Sequence, residues 1–153
     1  MTASKLPPLT TTDLVFAIAH VTAATKVTVE KGDLLTAQQV NAFYTLAAET
    51  VRAAGGKVIK ALGSGMLLTF PPARAHDALS ALRSMQKSGT DLWQRFDSRC
   101  RVQVSVGFGR VVAGPFGPAG EERDDIYGNA LNQLFKMPLE DFAVSPEFLR
   151  LTS

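Results

Sequence analysis

Five glycines, at positions 107, 109, 114, 117 and 120, are the residues whose type and spacing first invite a chemical reading. Closely spaced glycines can let backbone N–H groups cradle a phosphate. The established patterns are not met, however. Val112 stands where G-x-G-x-x-G needs its third glycine, and no G-x-x-x-x-G-K-[ST] occurs. There is also no G-x-S-x-G nucleophile elbow. These glycines therefore read as turn glycines around a hairpin. His20 closes an apolar run, where a lone histidine reads as a hydrogen-bonded structural residue. Cys100 is the only cysteine, which excludes an internal disulfide and a multi-cysteine zinc site.

The elements that must position any chemistry can be read from periodicity. Residues 1–12, with Pro7 and Pro8, read as a flexible lead-in, and residues 13–153 as a single domain. Leu14 to Ala19 is continuously apolar and suits a central strand. Val27 and Val29 alternate with Thr28 and Glu30, which reads as a weak strand or extended loop. Thr36 with Gln39 fits a capping box, with Leu34 and Leu35 as its staple. The helix it opens carries Val40, Phe43, Tyr44, Ala47 and Val51 on one face and stops at Gly55-Gly56. Lys57 to Leu62 and Met66 to Phe70, around Gly63-Ser64-Gly65, read as a hairpin.

Pro71-Pro72 then start a helix with Ala75, Ala78, Leu79, Leu82 and Met85 inside, closed by Gly89. Cys100 to Gly107 alternates as a strand with Val102, Val104 and Val106 in the core. A turn at Gly107-Phe108-Gly109 and a loop from Gly114 to Asp125 follow. A short helix spans Asn129 to Met137, a last strand Phe142 to Val144, and Ser145-Pro146-Glu147 opens a final helical turn. The order is β-α-β-β-α-β, an α+β ferredoxin-like sheet with helices on one face. That plan serves many unrelated functions, including as a bare scaffold.

Composition narrows the classes. The 153 residues are 46% hydrophobic and 20% charged, with 16 basic and 14 acidic residues and a net charge of +2. This is a globular composition without the basic stripe of a nucleic-acid binder. The run from Leu14 to Ala19 is too short to span a bilayer, and no signal-peptide pattern precedes it. A cytoplasmic protein with no nucleic-acid partner and no membrane span is expected.

Three segments in series then stand out. They are Gly55-Gly-Lys-Val-Ile-Lys60-Ala-Leu-Gly-Ser64-Gly, Val106-Gly-Phe-Gly-Arg110-Val-Val-Ala-Gly114-Pro-Phe-Gly117, and Asp125-Ile-Tyr-Gly128-Asn-Ala-Leu-Asn132-Gln-Leu-Phe-Lys136-Met137. In this order and spacing the chain resembles the class III adenylate/guanylate cyclase catalytic domain, from about Leu14 to about Leu151. The resemblance implies a domain that converts a nucleoside triphosphate to a cyclic nucleotide and diphosphate with two metal ions. It also implies a head-to-tail dimer with residues of both halves at each site.

In register with that family, the two metal-binding aspartates fall at Ile18 and Ser64, so both carboxylates are missing. Asp13 is no substitute, because five residues along a strand is about 16 Å and reverses the face. Lys60 and Asp125 occupy the base-reading positions, in the lysine and aspartate form that goes with adenine. The chemistry agrees: a lysine donates to a purine acceptor while a carboxylate accepts from the exocyclic amine. Asn132 matches the ribose-orienting asparagine. Lys136 stands where the family has a transition-state arginine, keeping the charge but losing the planar fork. Arg110 resembles a phosphate-contacting arginine. The family's final hairpin, with its triphosphate-binding lysine, has no counterpart up to Ser153.

Singly, Lys60 and Lys57 also read as solvated strand residues, Asp125 as loop charge, Asn132 as a helix cap and Arg110 as surface charge. Their joint register carries the reading. The expectation is a degenerate cyclase-type domain, regulatory or dimerising, inactive alone and without a cofactor of its own. The alternatives are the adenine-recognising half of a heterodimeric adenylate cyclase, using magnesium or manganese with ATP beside a metal-bearing partner, and an ATP-binding sensor. Partners are then a second copy or another cyclase-type domain, with ATP as a further candidate.

Overall fold

The computed structural model describes residues 8–153. The chain runs β1 (Thr10–Val21), α1 (Ala24–Lys31), α2 (Asp33–Ala53), β2 (Lys57–Leu62), β3 (Gly65–Phe70), a 3-10 turn (Pro72–Arg74), α3 (Ala75–Phe96), β4 (Val102–Phe116), β5 (Arg123–Tyr127), α4 (Asn129–Phe135), β6 (Phe142–Val144) and α5 (Pro146–Thr152). The sheet order is β2-β3-β1-β4-β5, with β6 parallel to the first part of β4 and every other pairing antiparallel. The expected α+β sheet with its long helices on one face is what forms.

Alternation along β1 separates two cores. Val15, Ala17, Ala19 and Val21 face α1, α2, α3 and α5, together with Phe43, Val51, Leu82, Trp93 and Phe148. Phe16 faces the other way, where Leu67, Val111, Ile126 and the α4 residues Leu131 and Leu134 form a smaller cluster. Among the described residues α4 is thus the one helix against the opposite face, and it covers only part of it. Ser145 caps α5, its Oγ accepting from the Phe148 N–H at 3.2 Å.

Several sequence expectations need correction. Thr10, Thr11 and Thr12 belong to β1, paired with Ala113, Val112 and Val111 of β4. Of the expected lead-in, residues 1–7 lie outside the described residues. Val27 and Val29 are helical: Val27 is buried and Val29 is exposed, a separation that helical rotation produces and strand alternation would not. The second helix starts at Asp33, with Gly32 at φ +92° making the corner from α1. Thr36 is therefore inside the helix, buried, and its hydroxyl has no partner among the described residues. Gln39 donates to the Leu92 carbonyl at 3.1 Å, tying α2 to α3. Leu34 and Leu35 are exposed and make no staple.

Three glycine readings also change. Gly89 does not end its helix, which continues to Phe96. A Cβ at Gly89 would lie 2.7 Å from Phe43 Cε1 and 3.0 Å from Val102 Cγ2, so the residue permits close packing of α3 on α2 and β4. Gly107 and Gly109 make no turn, and β4 runs unbroken through them. A Cβ at Gly107 would sit 2.8 Å from Phe16 Cε1, and one at Gly109 2.7 Å from Ala130 Cβ. Finally, the loop expected from Gly114 to Asp125 is shorter, because β4 extends to Phe116 and β5 begins at Arg123.

Candidate nucleotide site

β2 and β5 are the two ends of the sheet path, yet their charged side chains meet. Lys60 Nζ donates to Asp125 Oδ2 at 2.9 Å, and Lys57 Nζ to Asp124 Oδ2 at 3.1 Å. The sheet's α4-side face is therefore curled into a trough, its two edges joined by ion pairs. A β-bulge between Val58 and Lys60 contributes by shifting the β2 register. Lys60 then lies opposite Leu67, a residue of the smaller cluster. On the other edge, Asp125 Oδ1 accepts from the Ile126 N–H at 2.8 Å, which fixes the carboxylate. Asp125 is the more covered member, with a side chain 25% exposed against 45% for Lys60.

Asn132 and Lys136 are four residues apart and exposed. Leu131 and Leu134 hold α4 on the smaller cluster, which leaves Asn132 on the solvent side. Lys136, expected inside this helix, is the residue just after it, its N–H bonded to the Gln133 carbonyl at 3.1 Å. Arg110 is elsewhere. Its neighbour Val111 faces the smaller cluster, so Arg110 points to the other side of the strand. There its Nε donates to Asp13 Oδ1 at 3.2 Å, near Glu147 and Arg150 of α5. Arg110 is thus not gathered with Lys60 and Asp125.

Ile18 and Ser64 do not fit a metal pair. Ile18 is half-buried and packs against the smaller cluster, so its surroundings are apolar. Ser64 sits in the hairpin turn, which is anchored by a hydrogen bond from the Tyr44 hydroxyl to the Gly63 carbonyl. Partial burial raises the Tyr44 pKa. Ser64 lines a groove with Thr25, Asp33, Thr36 and Asn41. Asp33 thus brings a carboxylate to this groove, which strand-local reasoning did not anticipate, since it comes from the α1–α2 corner. Among the described residues no group of three His, Cys, Asp or Glu side chains could hold a metal ion.

His20 is exposed opposite Gln103, and its ring makes no hydrogen bond among the described residues, contrary to the structural role expected. Cys100 is buried, and its burial raises the thiol pKa.

A charged cluster missed in the sequence pins α1 to the turn after α3. Arg99 donates to Asp97 at 2.8 Å and also to Glu30, while Lys31 donates to the Phe96 carbonyl at 2.6 Å. Hydrogen bonds from Arg99 lower the pKa of Glu30 and hold Asp97 far below the usual carboxylate range. The weak strand or extended loop expected at Val27–Val29 hid this, because it is helix α1 that brings Glu30 and Lys31 to that turn.

Comparison with solved structures places this architecture. The adenylyl cyclase CyaB from P. aeruginosa superposes with a TM-score of 0.85 at 17% identity, over 95% of this chain and 82% of that one. The fold is that of a nucleotidyl cyclase domain. The guanylyl cyclase Cya2 follows at TM-score 0.81 and 14% identity, over 95% and 80% of the two chains. A class III adenylyl cyclase-like ATP-binding protein from Pseudomonas aeruginosa matches at TM-score 0.78 and 9% identity, over 96% of this chain and 36% of that one. No family model and no curated protein matches the sequence. Within this cyclase fold, no helix among the described residues is long and apolar enough to cross a membrane.

Proposed function

We propose that this chain is a cyclase-type regulatory or dimerising domain that recognises an adenine nucleotide and does not turn it over alone. The observation that carries the reading is the contrast between two places. Lys60 and Asp125 meet at 2.9 Å across the trough, a donor and an acceptor spaced for one purine edge. Ile18 and Ser64 offer no carboxylate where two-metal chemistry would require them. In the nucleotide complex, Lys60 donates to a ring nitrogen of adenine. Asp125 accepts from the 6-amino group, and Asn132 meets the ribose.

Guanine reverses the pattern at that edge, placing a carbonyl oxygen where adenine has the amine, so ATP is preferred to GTP. One neighbour on this fold is itself described as an adenylyl cyclase-like ATP-binding protein. The reading is tested by measuring ATP and GTP affinity for the parent and for Lys60→Ala. The parent is expected to prefer ATP, and the variant to lose at least about tenfold. Equal affinity of parent and variant for ATP would overturn it.

A second reading, the adenine-reading half of a heterodimeric adenylate cyclase, is favoured by the surface around α4. Asn132 and Lys136 are exposed, and in the same stretch of chain so are Tyr127, Phe135 and Leu139, large apolar side chains open to a partner. On this reading a metal-bearing cyclase chain supplies the carboxylates. Mixing the two yields cyclic AMP above the partner's own rate, and Asn132→Ala removes the gain. A mixture no faster than the partner alone would count against it.

A further inference from the structure

The trough contains a cavity of about 370 Å³, beside the Lys60–Asp125 pair and nearer the open ends of β2 and β5. This lies in the range of ligand-sized clefts, about 300–1,000 Å³. Its walls are apolar: Leu14, Ile59, Phe70, Pro71, Ala113 and Ile126. Thr69, almost fully buried, adds a hydroxyl. Lys57 and Asp124 line the same cavity as an ion pair whose side chains are 60% and 66% exposed. Asp125 also borders it, but its two oxygens are engaged by Lys60 and by the Ile126 N–H.

An ion pair this exposed is a weak stabiliser and opens at little cost. Its two charges can therefore exchange partners. An incoming cation engages Asp124 alone, while an incoming anion engages Lys57 alone. A molecule carrying both charges close together satisfies both, and an apolar group on the same molecule fills the walls. We propose that this cavity binds a small zwitterion with an apolar side chain, an apolar α-amino acid, with its ammonium on Asp124 and its carboxylate on Lys57. The site shares Asp125 at its border with the base-reading pair, but its charged contacts are Lys57 and Asp124, and it does not depend on ATP binding.

The test is calorimetric titration of the full chain with L-phenylalanine and L-leucine, alongside phenylalanine amide and 3-phenylpropionate, which lack the carboxylate and the ammonium respectively. Saturable binding of at least one amino acid is expected, with both single-charge analogues at least about tenfold weaker. Lys57→Met and Asp124→Asn, both surface changes, should each weaken amino-acid binding to a similar extent while leaving ATP binding intact. Ala113→Leu should abolish it by filling the cavity. No saturation by either amino acid at millimolar concentration would overturn the proposal. So would equal binding of 3-phenylpropionate, or affinity indifferent to both surface variants.

Discussion

Lys60 and Asp125 stand 65 residues apart in the chain and 2.9 Å apart in space. Both were legible as candidates from their sequence register. Their meeting was not, because Asp125 reads as loop charge within Glu121-Glu-Arg-Asp-Asp125, whereas it sits on an edge strand curled toward the other edge. A partly exposed ion pair is a weak stabiliser. Lys60→Ala and Asp125→Ala should therefore each change stability by less than about 1 kcal/mol in chemical denaturation. The same changes should reduce ATP affinity at least about tenfold, since a bound base loses a charge-assisted hydrogen bond. Parallel loss of stability and affinity would mark the pair as structural. Arg110 gives the opposite lesson: its motif was readable, but strand alternation sends it to the face where Asp13 holds it.

At the scale of elements, apolar runs and alternation located the hairpin and the central strand, and Ser145-Pro146-Glu147 located the final cap. Glycine and threonine misled where packing overrode local preference. Gly89 looks like a helix stop but is the space that lets α3 approach Phe43 and Val102. Gly89→Ala gains about 1 kcal/mol of helix propensity, but the added carbon overpacks that contact at a cost of roughly 1–3 kcal/mol, so the variant should be net destabilised by up to about 2 kcal/mol. Urea denaturation checks this, and a stabilised variant would refute the packing account.

The α1 clamp makes a second prediction. Glu30 and Asp97, ordinarily near 4.5 and 3.8, are both lowered in the folded chain by Arg99. The unfolded chain then binds more protons than the folded one as pH falls through that range. The stabilisation is complete above the ordinary values and is lost on acidification. Melting temperature should therefore fall as pH drops below about 4.5. Arg99→Ala should flatten that acid limb and lower the plateau at neutral pH. An unchanged acid slope in the variant would show that the clamp does not govern it.

Taken whole, the molecule has the sheet and the long helices of a cyclase fold, with Lys60 and Asp125 joined across the trough and with Ile18 and Ser64 apolar and neutral. Under the proposed function, nucleotide recognition and turnover have separated in this chain. The most direct measurement is titration of the purified chain with ATP, with and without manganese, accompanied by an assay for cyclic AMP. The account predicts saturable ATP binding that does not require the metal, and no cyclic AMP from the isolated chain under either condition. Manganese-dependent production of cyclic AMP by the isolated chain would contradict it.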